Sequence, residues 1–272
     1  MYRVAATFLS AIFLFGTPSS HTRQQSKAAP GPAPSDMPAS ERQKLELRGD
    51  VFMARKMYPE ALQQYQELLT SSPKDPELFN KMGVVYQQEG ELTHAIRYYK
   101  RAIKADKTYA IAYNNLATVE YQQKHYGRSI QHYKVAISLH PAADLSTIYS
   151  NLGYSYFGDK QYLAATDYFQ KAMALDPEVF LRHGTGGSTV QQRTSTEPGM
   201  LYFLVAKIYA KQGDAERCAH YLRMSRDNGY SEFTTARTDP IFSKVIKDER
   251  VLEILDQPPS FAHDSKSPLS QN

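Results

Sequence analysis

Tryptophan and cysteine are nearly absent from this chain, and each scarcity narrows what the protein can be. The 272 residues include no tryptophan against 20 tyrosines, and they include one cysteine, Cys218. A single cysteine excludes both an intramolecular disulfide and a zinc site made of several thiolates. We expect Cys218 to pack inside the protein, because a reactive thiol requires an exposed cysteine with a lowered pKa.

An excess of charge of one sign is also missing. The formal net charge is +4, and the first forty residues contribute +2 of it through Arg3, Arg23, Lys27 and Asp36. The remainder is too small to predict a surface for nucleic acid or for an anionic membrane. With 42% hydrophobic residues, the composition is that of a soluble protein with a sizeable core.

The N-terminal residues have the layout of an export signal. Arg3 precedes the uncharged apolar run Val4–Phe15, and the small, turn-prone residues Gly16–Ser20 follow. This order is typical of a signal peptide. The run has twelve residues, about half of what a membrane-spanning helix needs.

We therefore predict a signal peptide over residues 1–20 and an exported protein, either periplasmic or secreted. The alternative is an uncleaved N-terminal segment that tethers the protein to a membrane, which would be its one membrane contact. Residues 21–40 are rich in proline, alanine and serine, so we expect a disordered linker there.

Two consecutive segments repeat the same layout 34 residues apart. The matching residues are Phe79, Met82, Gly83 and Ala102 in the first copy and Tyr113, Leu116, Ala117 and Ala136 in the second. A fixed period of this length predicts a stack of repeated units. Function should then be sought on a surface made by repetition, and not in an active-site cleft.

Five units can be placed on this period, and each contains two amphipathic helices. They begin near Arg42, Pro76, Ala110, Ser146 and Gly199. Within a unit the apolar residues recur at spacings of three and four, which puts them on one face of a helix. Small residues such as Gly83 allow the two helices to approach closely, and prolines such as Pro141 end the second helix.

These units resemble tetratricopeptide repeats. That pattern has an aromatic residue at position four, Leu-Gly at seven and eight, Tyr at eleven, Ala at twenty and twenty-seven, and Pro at thirty-two. Units two, three and four match most of these positions, whereas unit three has Glu120 at position eleven, so its packing must differ there. Units one and five depart further from the pattern.

The resemblance implies an all-α, right-handed superhelical solenoid of about five helix-turn-helix units. Units one to four occupy residues 41–178 and unit five occupies 199–229. A tail with Asp239-Pro240-Ile241-Phe242 is similar to those of many bacterial tetratricopeptide proteins, which suggests a bacterial source. We expect capping helices over 230–258, with Ile241, Phe242 and Val245 on their apolar side, and a disordered tail over 259–272.

A segment at 179–198 interrupts the repeats, and loops of this length are usually functional or disordered. We predict a flexible insertion. Its residues His183–Thr189 are glycine-rich, but a phosphate-cradling loop needs a preceding strand and a following helix N-terminus, whereas this one follows a helix. Small-molecule binding or catalysis there is kept as an alternative function.

The remaining chemistry-bearing residues do not assemble a site. His94, His125, His132 and His140 do not converge at metal-ligand spacing, so we expect them at exposed polar positions. No nucleophile, base and orienting group come together. We therefore predict no catalysis, no metal and no cofactor.

The resemblance also implies a concave groove lined by the first helices. Its predicted lining is Asn80, Lys81 and Gln87, then Asn114, Asn115, Thr118, Tyr121 and Gln122, then Asn151, Tyr154 and Phe157, and finally Lys207 and Lys211. Asparagine amides can pair with the backbone of an extended peptide. We expect the aromatic members to supply apolar pockets.

The prediction is a non-catalytic scaffold or assembly factor of the cell envelope that binds a protein or peptide segment in this groove. A lysine- and arginine-based clamp for a C-terminal carboxylate is not supported, because Glu46 and Asp50 stand at the corresponding positions of unit one. The alternative is a homo-oligomeric structural protein whose groove takes a tail from a neighbouring copy. The sequence leaves the oligomeric state open.

Overall fold

The computed structural model describes residues 37–139, 145–180 and 197–257, and all of these lie in one compact unit. Their helices form five consecutive antiparallel pairs, with no strand among the described residues. The pairs are α1 Ala39–Ala54 with α2 Tyr58–Ser71, α3 Pro76–Glu89 with α4 Leu92–Ala105, α5 Ala110–Gln122 with α6 Tyr126–Ser138, α7 Leu145–Gly158 with α8 Tyr162–Leu175, and α9 Pro198–Gln212 with α10 Ala215–Asp227. The predicted all-α solenoid of helix pairs is confirmed.

Close helix contact within a unit depends on a small residue opposite an aromatic ring. A Cβ atom on Gly83 would lie 2.5 Å from Cε1 of Tyr99, and one on Gly153 would lie 2.5 Å from the ring of Phe169. Both rings are fully buried. The glycines are thus required for the rings to pack, as the repeat pattern predicts.

The turn inside each unit has the same backbone form in all five pairs. Its fifteenth residue is left-handed in each case, and these residues are Lys56, Gly90, Lys124, Lys160 and Gly213, with φ between 59° and 88°. The next residue donates its N–H to the carbonyl five residues back, for example His125 to Glu120 at 2.8 Å. This bond satisfies a carbonyl at the helix end.

Three short helical segments follow the last pair. They are the 3-10 helices η1 Ser231–Arg237 and η2 Pro240–Lys244, and the α-helix α11 Glu249–Asp256. Phe242 and Val251 are fully buried, and the Phe242 ring stacks on Phe203 of α9 at 5.8 Å. Ile241 is 38% exposed, so its predicted place on the apolar side is wrong, because a 3-10 helix aligns side chains three residues apart, such as Phe242 and Val245, and Ile241 is one residue off that line.

Several predicted segments lie outside the described residues. These are the signal peptide at 1–20, most of the linker at 21–40, residues 140–144 with His140 and Pro141, residues 181–196 of the insertion with its glycine-rich stretch, and the tail at 259–272. Val179 and Phe180, predicted as the start of a flexible loop, are buried. Phe180 packs edge-on against Phe169, with ring centroids 5.2 Å apart.

Two further features of the described chain bear on function. Cys218 is fully buried, and burial raises the pKa of its thiol to about 12. Among the described residues, none of the helices has the length and apolarity that a membrane crossing would require.

Candidate peptide-binding groove

A row of asparagine amides runs across the neighbouring first helices α3 and α5. Asn115 Nδ2 donates to Asn80 Oδ1 at 3.0 Å, and Asn114 Nδ2 donates to Asn115 Oδ1 at 3.1 Å. The Oδ1 atom of Asn114 is buried and finds no hydrogen-bond partner among the described residues. The predicted amide surface of units two and three therefore exists as a connected row with an unused acceptor at its end.

The corresponding asparagine of unit four is enclosed. Asn151 has no exposed surface, and neither its Nδ2 nor its Oδ1 has a hydrogen-bond partner within the part of the chain that the structure describes. A buried amide without partners costs about 1–3 kcal/mol. Every residue from Ser150 to Phe157 is likewise buried, so this stretch of α7 offers no open face.

The aromatic residues predicted to form pockets belong to the core instead. Tyr121, Tyr154 and Phe157 are 4%, 1% and 4% exposed. Tyr154 packs edge-on against Phe169 and Phe180, at centroid distances of 5.1 and 6.2 Å, and burial raises its pKa well above the usual value. The prediction of open apolar pockets is wrong, because these rings fill the space between helices.

The lysine of unit two is neutralised by carboxylates of unit one. Lys81 Nζ lies 2.8 Å from Glu46 Oε1 and 3.0 Å from Asp50 Oδ2, and the Tyr65 hydroxyl also donates to Asp50 at 2.6 Å. Burial alone would lower the pKa of Lys81, but its bonds to the two carboxylates raise it. This end of the groove thus has two carboxylates for one lysine, as expected for a surface without a carboxylate clamp.

At the other end, Lys207 is paired as well. Its Nζ lies 2.7 Å from Asp239 Oδ2, just before η2. Burial would raise the pKa of Asp239, but the bonds from Lys207 and from the backbone N–H of Ile241 lower it. Lys211 is exposed, and its backbone carbonyl accepts a bond from Lys244 Nζ at 3.1 Å.

The other predicted lining residues have partners of their own or are partly open. Gln87 Oε1 accepts a bond from the Tyr99 hydroxyl at 2.7 Å. Thr118 is 6% exposed, donates to the carbonyl of Asn114, and lies 2.8 Å from the Tyr133 hydroxyl. Gln122 is half-buried at the end of α5. Asn80 is 7% exposed, so the predicted lining residues of α3 and α5 that keep exposed surface are Lys81, Gln87, Asn114, Asn115 and Gln122.

Positions eleven and twenty-three of a unit form a side-chain pair that the sequence pattern did not predict. In units two, four and five, position eleven stacks on position twenty-three at centroid distances of 5.2 to 5.5 Å, through Tyr86 with Tyr98, Tyr156 with Tyr168, and Tyr209 with Tyr221. In unit three the same positions hold Glu120 and His132, whose Oε2 and Nδ1 atoms are 2.7 Å apart. His132 is therefore half-buried and paired, and its predicted exposed position is wrong.

The described residues contain no candidate metal site. They contain no group of three or more His, Cys, Asp or Glu side chains that could hold a metal ion. Glu120 and His132 form a pair without a third ligand. The amide row is therefore the most distinctive polar feature of the first helices.

Family profiles match three stretches of the sequence. A TPR-repeat profile matches residues 49–90, and two tetratricopeptide-repeat profiles match residues 80–144 and 146–179. The chain is a tetratricopeptide-repeat protein. Its matched residues coincide with the helix pairs from α1 to α8.

Among curated relatives of this tetratricopeptide-repeat protein is the Hsp70-Hsp90 organizing protein 2 of Arabidopsis thaliana, 25% identical over 94 residues. That match covers 35% of this chain and 16% of the relative. The BBSome complex member BBS4 of Bos taurus is 24% identical over 185 residues, covering 62% of this chain and 35% of the relative. The chain thus spans well under two thirds of these relatives' length.

Solved structures give similar matches. MamA from Desulfovibrio magneticus RS-1 is 19% identical, with a TM-score of 0.49. The match covers 68% of this chain and 92% of the MamA chain. YrrB, described as a TPR protein with an unusual peptide-binding site, is 16% identical with a TM-score of 0.46, and covers 71% of this chain and 89% of its own.

Proposed function

We propose that this tetratricopeptide-repeat protein is a non-catalytic scaffold that binds an extended segment of a protein partner along α3 and α5. The observation that carries the proposal is the connected amide row of Asn80, Asn115 and Asn114. An amide has both a donor and an acceptor, which is what the N–H and C=O groups of an extended backbone require.

The unused acceptor at the end of the row supports a ligand with a hydrogen-bond donor. Asn114 Oδ1 is buried without a partner, and leaving such an atom unpaired costs about 1–3 kcal/mol. A backbone N–H from a bound peptide would satisfy it once a rotation of the half-buried Asn114 side chain brings this oxygen to the surface. Binding would then remove a cost that the free protein bears.

The charges of the groove indicate which peptides it would take. Lys81 and Lys207 each have a carboxylate partner within 3.0 Å, so neither is available to hold an acidic C-terminus. Recognition would therefore rest on backbone amide contacts and depend little on the sequence or the terminal carboxylate of the partner.

Two further observations support the wider role. The curated relatives include an Hsp70-Hsp90 organizing protein and a member of the BBSome complex. Both names describe proteins that work together with other proteins. The layout of residues 1–20 supports an exported protein that works in the cell envelope as a scaffold or assembly factor, with an uncleaved tether as the alternative arrangement.

Site-specific photocrosslinking in the native host tests the proposal. A photoreactive amino acid at Gln122, two helical turns or about 10 Å along α5 from Asn115, is expected to capture a defined set of proteins. The matched control carries it at Leu163 of α8, which is 87% exposed. The same set of partners from both positions would contradict binding at the groove.

A second variant links the captured proteins to the amides. Asn114→Ala with Asn115→Ala, in the chain with the crosslinker at Gln122, is expected to lower the yield about tenfold, since each lost hydrogen bond contributes about 0.5–1.5 kcal/mol. Gln131→Ala, on the exposed side of α6 in the same unit, is the control. An unchanged yield in the double variant would refute the role of the amides.

A further inference from the structure

The first helix has an apolar stripe on a face that no other described element covers. Leu47 is 63% exposed and Val51 is 39% exposed, and Ala54 is also exposed. Spacings of four and three place these residues on one side of α1. Leu45 and Gly49, on another side of α1, are buried.

The same position is fully buried in every later unit. Val51 corresponds to Val85, Val119 and Ile208, which are 0%, 0% and 1% exposed, and to Ser155, which is also buried. Val85 lies in one apolar cluster with Ala61 and Tyr65 of α2, and Val119 with Ala95 and Tyr99 of α4. The residue at this position therefore packs on the second helix of the preceding unit.

Val51 thus holds a position that is buried between units elsewhere in the protein. In the described chain no unit comes before α1 to cover it. The outer face of a terminal repeat is normally polar, because an apolar end is open to association. In α1 the position that is buried between later units keeps an apolar residue, Val51, and the exposed Leu47 lies one turn before it. This face has the character of a surface that a further helix covers.

The opposite end of the repeats is closed. Phe242, Val245 and Val251 from η2 to α11 are at most 1% exposed, and among the described residues of this end Ile241, at 38%, is the one large apolar side chain left open to receive α1 of another copy. Head-to-tail stacking is therefore disfavoured. The remaining way for two copies to cover their exposed stripes is a symmetric contact of like with like, which closes at a dimer.

The charges on α1 suit such a contact. In an antiparallel pair of α1 helices, Leu47 lies opposite Val51 of the second copy. The same register places Arg48 opposite Asp50 of the second copy, a carboxylate that already bonds Lys81 and whose side chain is still 47% exposed. It also brings the acidic first turn with Glu41 towards the basic end at Arg55 and Lys56, which favours the antiparallel arrangement.

We propose that two copies of this chain pair through the outer faces of their α1 helices, with Leu47 and Val51 at the centre. The contact is made by residues of α1 alone, at unit one, where Leu47 holds the position that Asn115 of the amide row holds in unit three. It would leave the residues of α3 and α5 open to a partner segment, so each bound pair would present two grooves.

Sedimentation velocity on the full chain over a range of concentrations tests the pairing. The wild-type protein is expected to show a concentration-dependent monomer–dimer equilibrium. Leu47→Asp with Val51→Asp should raise the dissociation constant about 100-fold or more, because both apolar side chains of each copy leave the contact. Leu163→Asp, an equally exposed leucine on α8, should leave it unchanged, and circular dichroism should show intact helices in all three proteins.

Thiol crosslinking tests the register. Cys218 is fully buried, so introduced cysteines report alone. A mixture of Leu47→Cys and Val51→Cys chains is expected to form a disulfide faster than either chain with itself.

Three results would overturn the proposal. One is a wild-type protein that stays monomeric at every concentration. Another is equal loss of the dimer in the Leu163→Asp control. The third is a Leu47→Cys thiol that a monomeric chain shields from alkylation, which would show that residues of the same chain cover α1.

Discussion

Replacing both Glu120 and His132 by tyrosine is expected to maintain or increase stability, whereas replacing His132 alone is expected to reduce it. Glu120 is 2% exposed and its carboxylate lies 2.7 Å from His132 Nδ1. The variant His132→Tyr leaves this carboxylate buried without its partner. Breaking a buried pair costs about 3–5 kcal/mol, and because the His132 side chain is 28% exposed water can reach the site, so we expect about 1–3 kcal/mol.

The other single variant should be milder. Glu120→Tyr removes the buried charge and leaves a half-exposed imidazole that water can solvate, so we expect a change of less than about 1 kcal/mol. The double variant recreates the stacked tyrosines of units two, four and five, whose planes are 12° to 21° apart. Replacing a buried polar pair by well-packed apolar groups is neutral or stabilising, by about 1–4 kcal/mol where the pair is ionic, and we expect the lower part of that range.

Urea denaturation followed by circular dichroism measures these differences, with the midpoint compared at fixed protein concentration. The four proteins form a double-mutant cycle, which isolates the coupling between the two positions. A His132→Tyr variant as stable as wild type would refute a structural role for the pair. A double variant less stable than His132→Tyr alone would refute the equivalence of the two kinds of pair.

Three further predictions follow from the local geometry. Lys124 has a φ of 60°, so Lys124→Gly should raise the free energy of unfolding by about 0.5–1 kcal/mol; a decrease in a urea titration would contradict this. Gly83→Ala should destabilise the protein by about 1–3 kcal/mol, because the new Cβ would lie 2.5 Å from the Tyr99 ring and overpacking strains the core; an unchanged melting temperature would show that the ring can move. The Cys218 thiol, with a pKa raised by burial to about 12, should react with a thiol reagent at pH 8 only after denaturant is added, and rapid labelling of the native protein would contradict its burial.

The sequence predicted best what depends on contacts inside one unit. Gly83 and Tyr99 belong to the same helix pair, and the spacing between them is fixed by the repeat, so their close contact could be inferred from the pattern. The same holds for the buried alanines and for Cys218. These interactions need only helix periodicity and one short turn.

Contacts between units were harder to predict. Lys81 was expected to line an open groove, but its partners Glu46 and Asp50 come from the preceding first helix. Tyr154 was expected in a pocket, but it packs against Phe180, which follows the next helix. Such neighbours depend on how units are rotated relative to each other, and the repeat pattern does not contain that angle.

The contact between Glu120 and His132 could be predicted from the sequence only in part. Their separation of twelve residues equals that of Tyr86 and Tyr98 in the unit before. Comparing the two positions jointly across units would have revealed the pair, because a carboxylate that replaces a buried tyrosine needs a polar neighbour. The position of one histidine alone does not contain this relation.

Every unit has a left-handed residue at its fifteenth position, and this shared turn affects how such a protein can gain or lose units. Because the five turns share one backbone form, a duplicated or deleted unit joins its neighbours without altering any remaining turn. Each added unit would lengthen the row of first helices by about one interhelical distance, roughly 8–10 Å. Duplication of a single gene segment could thus extend the binding surface in discrete steps while α11 keeps its place at the end.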